Sequence, residues 1–376
     1  MTFVDFSSGD ILYTTGTARN LVGPDAQSLM PRQKVVTTMH VTGFALVHNA
    51  LPVRQREGST VGRSPYSPPV RYLAEERKPE SEVLYDGVQA TLAKIEILSK
   101  SLARFWFETS ERVKIVPGQA AVLSFQELLG KPMYAHMAPG NETSVNDDRV
   151  RTWTISSAHG NPLSGGQSGL FAITMREKPG GLVTGALFSI ARQAALRMPD
   201  ILNDARRLGM RIPLVGITGE FTVRKGHEKM LWIAGGIGVT PFLSMLGAMG
   251  KEGEGTSWRS DYDVLFLLST REPEVLLPVI HSIVEGHKGR FSSKVVMHVF
   301  TTQTAPELLF PGNIELSVHR GRFNESIFNS GRFLDQRLDD RLAYVCGPTA
   351  FEETALEALR KIGLDTKNVV REGFGY

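Results

Sequence analysis

The sequence predicts a β-barrel domain followed by an α/β domain with a parallel sheet and helices on both faces. A short β segment precedes both. Three observations carry this expectation. From Lys225 onward, apolar runs of strand length alternate with longer runs of helical period. Between Gln89 and about Arg224, short runs rich in β-branched and aromatic residues follow one another across Pro and Gly turns. Residues 1–54 are rich in Thr, Val, Ile and Tyr. The expected boundaries are 1–80, 81–224 and 225–376.

In order along the chain, "DILYTTGTARNLV" and "KVVTTMHVTGFALV" read as strands joined by a proline-containing connection. Two strands alone are marginal in water, so this zone packs on something else or is the remnant of a larger barrel. Residues 54–81, "REGSTVGRSPYSPPVRYLAEERKPES", read as a proline- and charge-rich linker. "ATLAKIEILS", "ARFWFET" and "PGQAAVLSF" read as barrel strands, the last entered by a Pro-Gly turn. "ALFSIARQAALRMPDILNDARRLGM" has a helical period that Pro199 breaks. In the last zone the strands are "KMLWIAGG", "DVLFLLST", "SKVVMHVFTT" and "RLAYVCG". The helices are "TPFLSMLGAMG", "EPEVLLPVIHSIVEGH", "NESIFNSGRFLDQ" and "TAFEETALEALRKIG".

Composition narrows the function classes. At 376 residues, 41% hydrophobic and 22% charged, the chain has the make-up of a soluble globular protein of two or three domains. Its net charge of +3 is interspersed, which argues against a nucleic-acid partner. Cys346 is the only cysteine, so the sequence holds no intramolecular disulfide and no cysteine-ligated iron–sulfur cluster. No apolar run is long enough to cross a bilayer, and "MTFVDFSSGDILYTTG" lacks a leader pattern. The expectation is a cytoplasmic protein. The nine histidines offer no metal spacing: His227, His281 and His319 stand apart, and His281 and His287 lie six residues apart, off a shared helical face. No metal is expected. Ser168, in "GQSGL", is not a nucleophile elbow.

The chemistry-bearing stretches sit at strand ends. In "MLWIAGGIGVTPFLSML" an apolar strand stops at Gly235 and Gly236, passes Gly238 and resumes as a helix. In a parallel sheet a ligand lies beyond the carboxyl ends of the strands, against helix N-termini. Glycines there let a phosphate or nicotinamide approach bare backbone. The alternative is a tight turn whose glycines serve packing alone. Thr240 suits an N-cap and Pro241 the first helical position. "AYVCGPTAFEETALEAL" repeats the design at Cys346, Gly347 and Pro348, so two strand-end turns would flank one crevice. Upstream, "RTWTISS" alternates a cation, Arg151, with an aromatic, Trp153, and hydroxyls at Thr152 and Thr154. "FAITMREKPGGLVTGAL" leads from a strand bearing Thr174 through Gly180, Gly181, Leu182, Val183 and Thr184 into a helix, an anion site in outline.

"RTWT", "GGLVT", "GITGEF", "GGIGVTP", "CGP" and the C-terminal "EGF" occur in the order of the ferredoxin–NADP reductase superfamily, which residues 85–376 resemble. The resemblance implies a flavin-binding barrel, a nicotinamide-nucleotide-binding α/β domain, FAD as cofactor and NAD(P)H as co-substrate. It implies that Arg151 contacts the flavin pyrophosphate, Trp153 lies against the flavin and Thr154 bonds near its N5. Gly181, Val183 and Thr184 would bind the diphosphate, with Thr174 added to the cofactor-binding set. Gly235, Gly236, Gly238 and Thr240 would line the nucleotide site, with Cys346 and Gly347 near the nicotinamide. Glu372 and Phe374 match the family's acidic and aromatic pair beside the flavin. Trp153 and Thr154 replace the more usual tyrosine and serine, and the segment from Leu187 to Gly216 is longer than usual. Residues 1–73, through "SSGDILYTTGTARNLV", "ALPVR" and "SPYSPPVRYL", resemble the last part of a pyridoxamine-phosphate-oxidase-like split barrel. Only its end is represented, as a packing flap or truncated relic without a flavin of its own.

Hydride transfer needs two rings stacked with the donor carbon about 3–3.5 Å from the acceptor, a positional task. Thr154, Cys346 and Glu372 are the candidate catalytic groups, Glu372 as a proton relay. Cys346 is not expected to act as a nucleophile, since nothing near it in sequence would depress its pKa. Ser269, Thr270 and Arg271 would hold a 2′-phosphate, whereas Glu272 would repel one. The sequence leans to NADPH, with Arg320 and Arg322 as another possible phosphate contact. The expected acceptor is a small organic molecule or a separate haem or iron–sulfur protein. The competing reading is a nucleotide-sensing or scaffold flavoprotein without turnover.

Overall fold

The computed structural model describes residues 2–5, 10–29, 35–47, 83–129, 149–160, 165–249, 262–286, 293–311, 313–324, 327–330, 338–366 and 369–374. They fall into two units, Met1–Lys78 and Pro79–Tyr376. In the first, strands β1 (Thr2–Asp5), β2 (Asp10–Val22) and β3 (Val35–Val47) form an antiparallel sheet in that order. Both expected strands are present. The connection between them contains a helical turn, α1 (Pro24–Leu29), entered through proline, whose fixed φ suits a first helical position. The expected linker, from 54 to 81, lies outside the described residues.

The second unit opens with a barrel. β5 (Gln89–Ile97), β6 (Leu102–Ile115), β7 (Ala120–Ser124), β8 (Val150–Thr154), β9 (Gly166–Arg176) and β10 (Arg211–Thr218) run in the order β8-β7-β10-β5-β6-β9, and β4 (Val83–Leu84) pairs with β10. An antiparallel bridge between Ile155 and Ile173 ties the two end strands and closes the barrel. Period-two alternation fills the interior. Along β6, Ala103, Phe105 and Phe107 are buried in the barrel core, where Phe107 stacks on Phe171 at 5.7 Å. Arg104 and Trp106, between them, are only half-buried. Helix α3 (Leu182–Arg197) packs on the barrel through Leu187 and Phe188, the latter edge-on to Phe105 at 5.7 Å. Pro199 follows its end, as expected, and two 3-10 turns carry the chain to β10.

The last zone is an all-parallel sheet of β11 (Lys229–Gly235), β12 (Asp263–Ser269), β13 (Lys294–Thr301), β14 (Ile314–Arg320), β15 (Leu342–Pro348) and β16 (Val370–Phe374), ordered β14-β13-β12-β11-β15-β16. α4 (Thr240–Met249) and α5 (Pro273–Glu285) cover one face through Phe242, Leu276 and Ile280, which pack with Trp232 and Phe266. α6 (Thr349–Lys361) covers the other through Leu356 and Leu359, against Ile233, Leu265 and Val345. Two features depart from expectation. β14 and β16 are strands the alternation did not show, because both are edges and β14 leaves Glu315, Ser317 and Val318 exposed. The helix expected over "NESIFNSGRFLDQ" reduces, among the described residues, to a 3-10 turn at Ile327–Ser330.

Barrel and sheet meet along α4. Every residue of this helix is buried, the condition of an element packed on two sides. One side lies on the sheet. On the other, the Ser244 hydroxyl accepts the Gly118 N–H at 2.7 Å, and Gly247 packs so closely on Ala158 that a Cβ would sit 2.7 Å away. The crossover chain is pinned by Tyr344, fully buried on β15. Its hydroxyl donates to the Thr222 carbonyl at 3.2 Å and accepts the Arg224 N–H at 3.1 Å, while burial pushes its pKa up to about 12. Tyr344→Phe strands both partners and is expected to cost about 1–2 kcal/mol, read as a lower thermal midpoint.

Candidate functional site

The barrel contributes the end of β8. Thr154 pairs with Ala120 across the β7 ladder and is 4% exposed, yet its hydroxyl has no hydrogen-bond partner. A buried hydroxyl left without a partner is costly, so this atom fits a ligand that bonds it. Two residues on, Ser156 bonds the Ala172 carbonyl and the Thr174 hydroxyl, and Arg104 Nε donates to the same Thr174 oxygen at 3.1 Å. The Thr174 hydroxyl is thus already engaged inside the barrel wall by Ser156 and Arg104. Trp153 packs edge-on against Phe125 at 5.7 Å, half-buried. Arg151, also half-buried, donates from Nη1 to the Val150 carbonyl at 2.9 Å.

The turn after β9 opens α3. Gly181 stands at its N-cap in extended conformation, and no side chain caps the helix. A Cβ on Gly181 would sit 2.6 Å from the Thr184 hydroxyl, which accepts the Lys178 N–H at 3.2 Å. Val183 is buried in the barrel core and fixes this first turn. The free N–H groups of a sixteen-residue helix then suit a diphosphate, as the resemblance implies.

The sheet contributes its two glycine turns, and here the packing alternative accounts for three glycines. A Cβ on Gly235 would lie 2.6 Å from the Phe351 ring, and one on Gly347 would lie 2.7 Å from it. A Cβ on Gly238 would overlap the Cys346 carbonyl oxygen. Gly236 needs its glycine for a left-handed φ of +55°. The close approach draws β11 and β15 together under Phe351, at the N-terminal turn of α6. Thr240 does not cap α4. A 3-10 turn, Gly236–Val239, comes between strand and helix, so Thr240 has helical angles and its hydroxyl donates to Ile237. That turn touches β9 of the barrel, which brings the barrel's polar wall and the sheet's strand ends to one place.

Cys346 is fully buried, and burial pushes its thiol well above the ordinary value, with Glu372 and Glu352 adding to the rise. A raised thiol pKa disfavours the thiolate that a nucleophile needs. Glu372 stands opposite Cys346 in the β15–β16 ladder. The residue is half-buried overall, but its Oε2 is sealed and has no hydrogen-bond partner, and desolvation pushes the carboxyl up to about 7. Phe374 closes β16 in register with Pro348. Beyond β12, Thr270 is buried and its hydroxyl accepts the Glu272 N–H at 3.0 Å, while Arg271 is exposed. Glu272 forms an ion pair with Arg176, the last residue of β9.

Sequence reasoning missed Phe351, Arg104 and the Arg176–Glu272 pair, all of them contacts between distant stretches. It also held His319 apart, whereas its Nε2 lies 2.8 Å from Nδ1 of His298 on the neighbouring strand. Among the described residues no cluster of three His, Cys, Asp or Glu suits a metal, and no helix is long and apolar enough to cross a membrane.

No family model matches the sequence. The chain is 24% identical over 275 residues to the glycine betaine monooxygenase reductase subunit of Pseudomonas aeruginosa, which covers 70% of this chain and 63% of the relative. It is 27% identical over 202 residues to the reductase component of propane 2-monooxygenase from Rhodococcus jostii, covering 54% of this chain and 49% of the relative. The chain thus spans less than two thirds of the length of these relatives. Among solved structures, a ferredoxin NADP+ reductase from Neisseria gonorrhoeae with bound FAD and NADP aligns with a TM-score of 0.51 at 15% identity, covering 79% of this chain and all of that one. These relatives are reductase components of oxygenases, and the barrel and parallel sheet of this chain are the two domains of the ferredoxin reductase fold.

Proposed function

We propose that the chain is a flavin-dependent oxidoreductase that takes reducing equivalents from NAD(P)H through FAD and passes them to a separate redox protein. The observation that supports this most is the buried, unpartnered Thr154 hydroxyl, on a barrel whose β9 touches the glycine turn of the parallel sheet. Bound FAD supplies the step from two-electron donor to acceptor. Thr154 would bond the flavin at N5. Trp153 would flank its ring, and Arg151 with the opening turn of α3 at Gly181, Val183 and Thr184 would hold its diphosphate. The strand ends at Gly236 and Gly347 would receive the nicotinamide, with Cys346 filling the space behind and Phe374 beside the flavin. Glu372, whose carboxyl burial pushes up to about 7, would hold a proton for the reduced ring or the product. Exposed Arg271, with Glu272 held by Arg176, supports NADPH as the donor. The relatives' names, reductase components of oxygenases, favour a protein acceptor over a small molecule and do not favour a sensor without turnover.

The first test is colour. The purified protein is expected to be yellow and to bleach with NADPH under anaerobic conditions; a colourless protein that takes up no FAD on reconstitution overturns the proposal. Thr154→Val sharpens the test, because its effects have opposite signs. Without flavin, removing an unpartnered buried hydroxyl is expected to stabilise the protein by about 1 kcal/mol. With FAD bound, the same change is expected to slow anaerobic flavin reduction by roughly tenfold or more, measured by stopped-flow absorbance.

A further inference from the structure

We infer that the Arg176–Glu272 ion pair sets nucleotide choice: the barrel's arginine occupies the Glu272 carboxylate, just past β12, that would otherwise reject a 2′-phosphate. This rests on the nucleotide-binding reading above and deepens it. In a parallel sheet, the residues just past the second strand of the nucleotide domain meet the adenosine ribose. An acid there bonds the free 2′-hydroxyl, and a nearby arginine accommodates a phosphate. Here that position offers both in succession, Arg271 exposed and Glu272 half-buried, so the sequence by itself is ambiguous.

The fold resolves the ambiguity with a residue from the other domain. Arg176 ends β9, and its Nη2 pairs with Glu272 Oε2 while its Nη1 donates to the Ser101 hydroxyl at 2.9 Å. The guanidinium is therefore fixed at both ends of its fork. On the other side, the Glu272 N–H donates to the Thr270 hydroxyl at 3.0 Å, and Glu272 serves as the N-cap of α5. Its carboxylate is thus positioned and paired before any nucleotide arrives. Arg271 is left as the exposed charge of the strand end. Arg176 is a positioning residue: it acts on the nucleotide through Glu272.

The test compares kcat/KM for NADPH and NADH, with ferricyanide as acceptor, in the flavin-loaded full chain. Arg176→Gln frees Glu272 and is expected to lower the NADPH-to-NADH ratio by roughly tenfold, mainly through the KM for NADPH. Glu272→Gln removes a carboxylate already neutralised and is expected to leave the ratio within about threefold. The double variant is expected to restore it, and Arg176→Lys to keep most of it. A pair that merely braces the two domains would slow both nucleotides alike; that result overturns the inference, as does a double variant that fails to restore the ratio. Should Arg176→Gln not fold, a ratio that rises more than tenfold in Glu272→Gln overturns it alone, since the carboxylate was then never neutralised. Failure of the wild-type protein to bind FAD or be reduced by either nucleotide would instead refute the underlying reading.

Discussion

Gly238→Ala is expected to cost about 3 kcal/mol or more, or to prevent folding. The added methyl would overlap the Cys346 carbonyl oxygen, and both partners are backbone at the ends of packed elements, so neither can swing away. Gly235→Ala meets a different obstacle, the Phe351 ring at 2.6 Å, which is a side chain. It is expected to cost roughly 1–3 kcal/mol, and Phe351→Ala in the same chain should return part of that loss. Urea unfolding midpoints of the two single variants, Phe351→Ala and the Gly235→Ala/Phe351→Ala pair measure the coupling. If the glycines instead leave room for a nucleotide, Gly238→Ala would keep its stability and raise only the KM for NAD(P)H, which would refute the packing account. Through these contacts the turn's own geometry depends on an aromatic more than a hundred residues downstream.

That distance explains where the sequence was legible and where it was not. The barrel and the parallel sheet could be read because their signals are local: "DVLFLLST" is continuous apolar strand, "EPEVLLPVIHSIVEGH" has a helical period, and Pro199 stops a helix within its own neighbourhood. β14 escaped because an edge strand with Glu315, Ser317 and Val318 in solvent carries no buried run. The motifs place the candidate site at the strand ends, but they do not show what each residue touches there. "GGIGVTP" looks the same whether its glycines face phosphate or Phe351. Thr240 looks like a cap until a 3-10 turn is placed before it. Glu272 looks like a free acid until Arg176, from a strand almost a hundred residues earlier, is brought beside it. Each error concerns a partner chosen by the fold, which no window of sequence contains.

Glu372→Gln is expected to change both stability and rate, each with its own pH dependence. Desolvation raises this carboxyl from its ordinary 4.5 to about 7, so between those values the folded chain keeps a proton that the unfolded chain has already lost. Below about pH 4.5 both states are protonated and the burial carries no penalty. As pH rises from there to 7, the stability of the folded state falls, and above 7 the full penalty, on the order of 3 kcal/mol, stands. In the flavin-free protein, Glu372→Gln should therefore raise the thermal midpoint at pH 8 and leave it nearly unchanged at pH 4.5. Turnover should move the other way. If Glu372 holds the proton that the reduced ring or product needs, wild-type kcat falls as pH rises through about 7, whereas the glutamine variant is slower by roughly 100-fold and shows no break there. Opposite Glu372 in the ladder stands Cys346, a thiol whose own ionisation burial opposes. A variant that is stabilised at pH 8 yet keeps wild-type turnover and the same pH break would leave Glu372 a buried acid with no part in the chemistry.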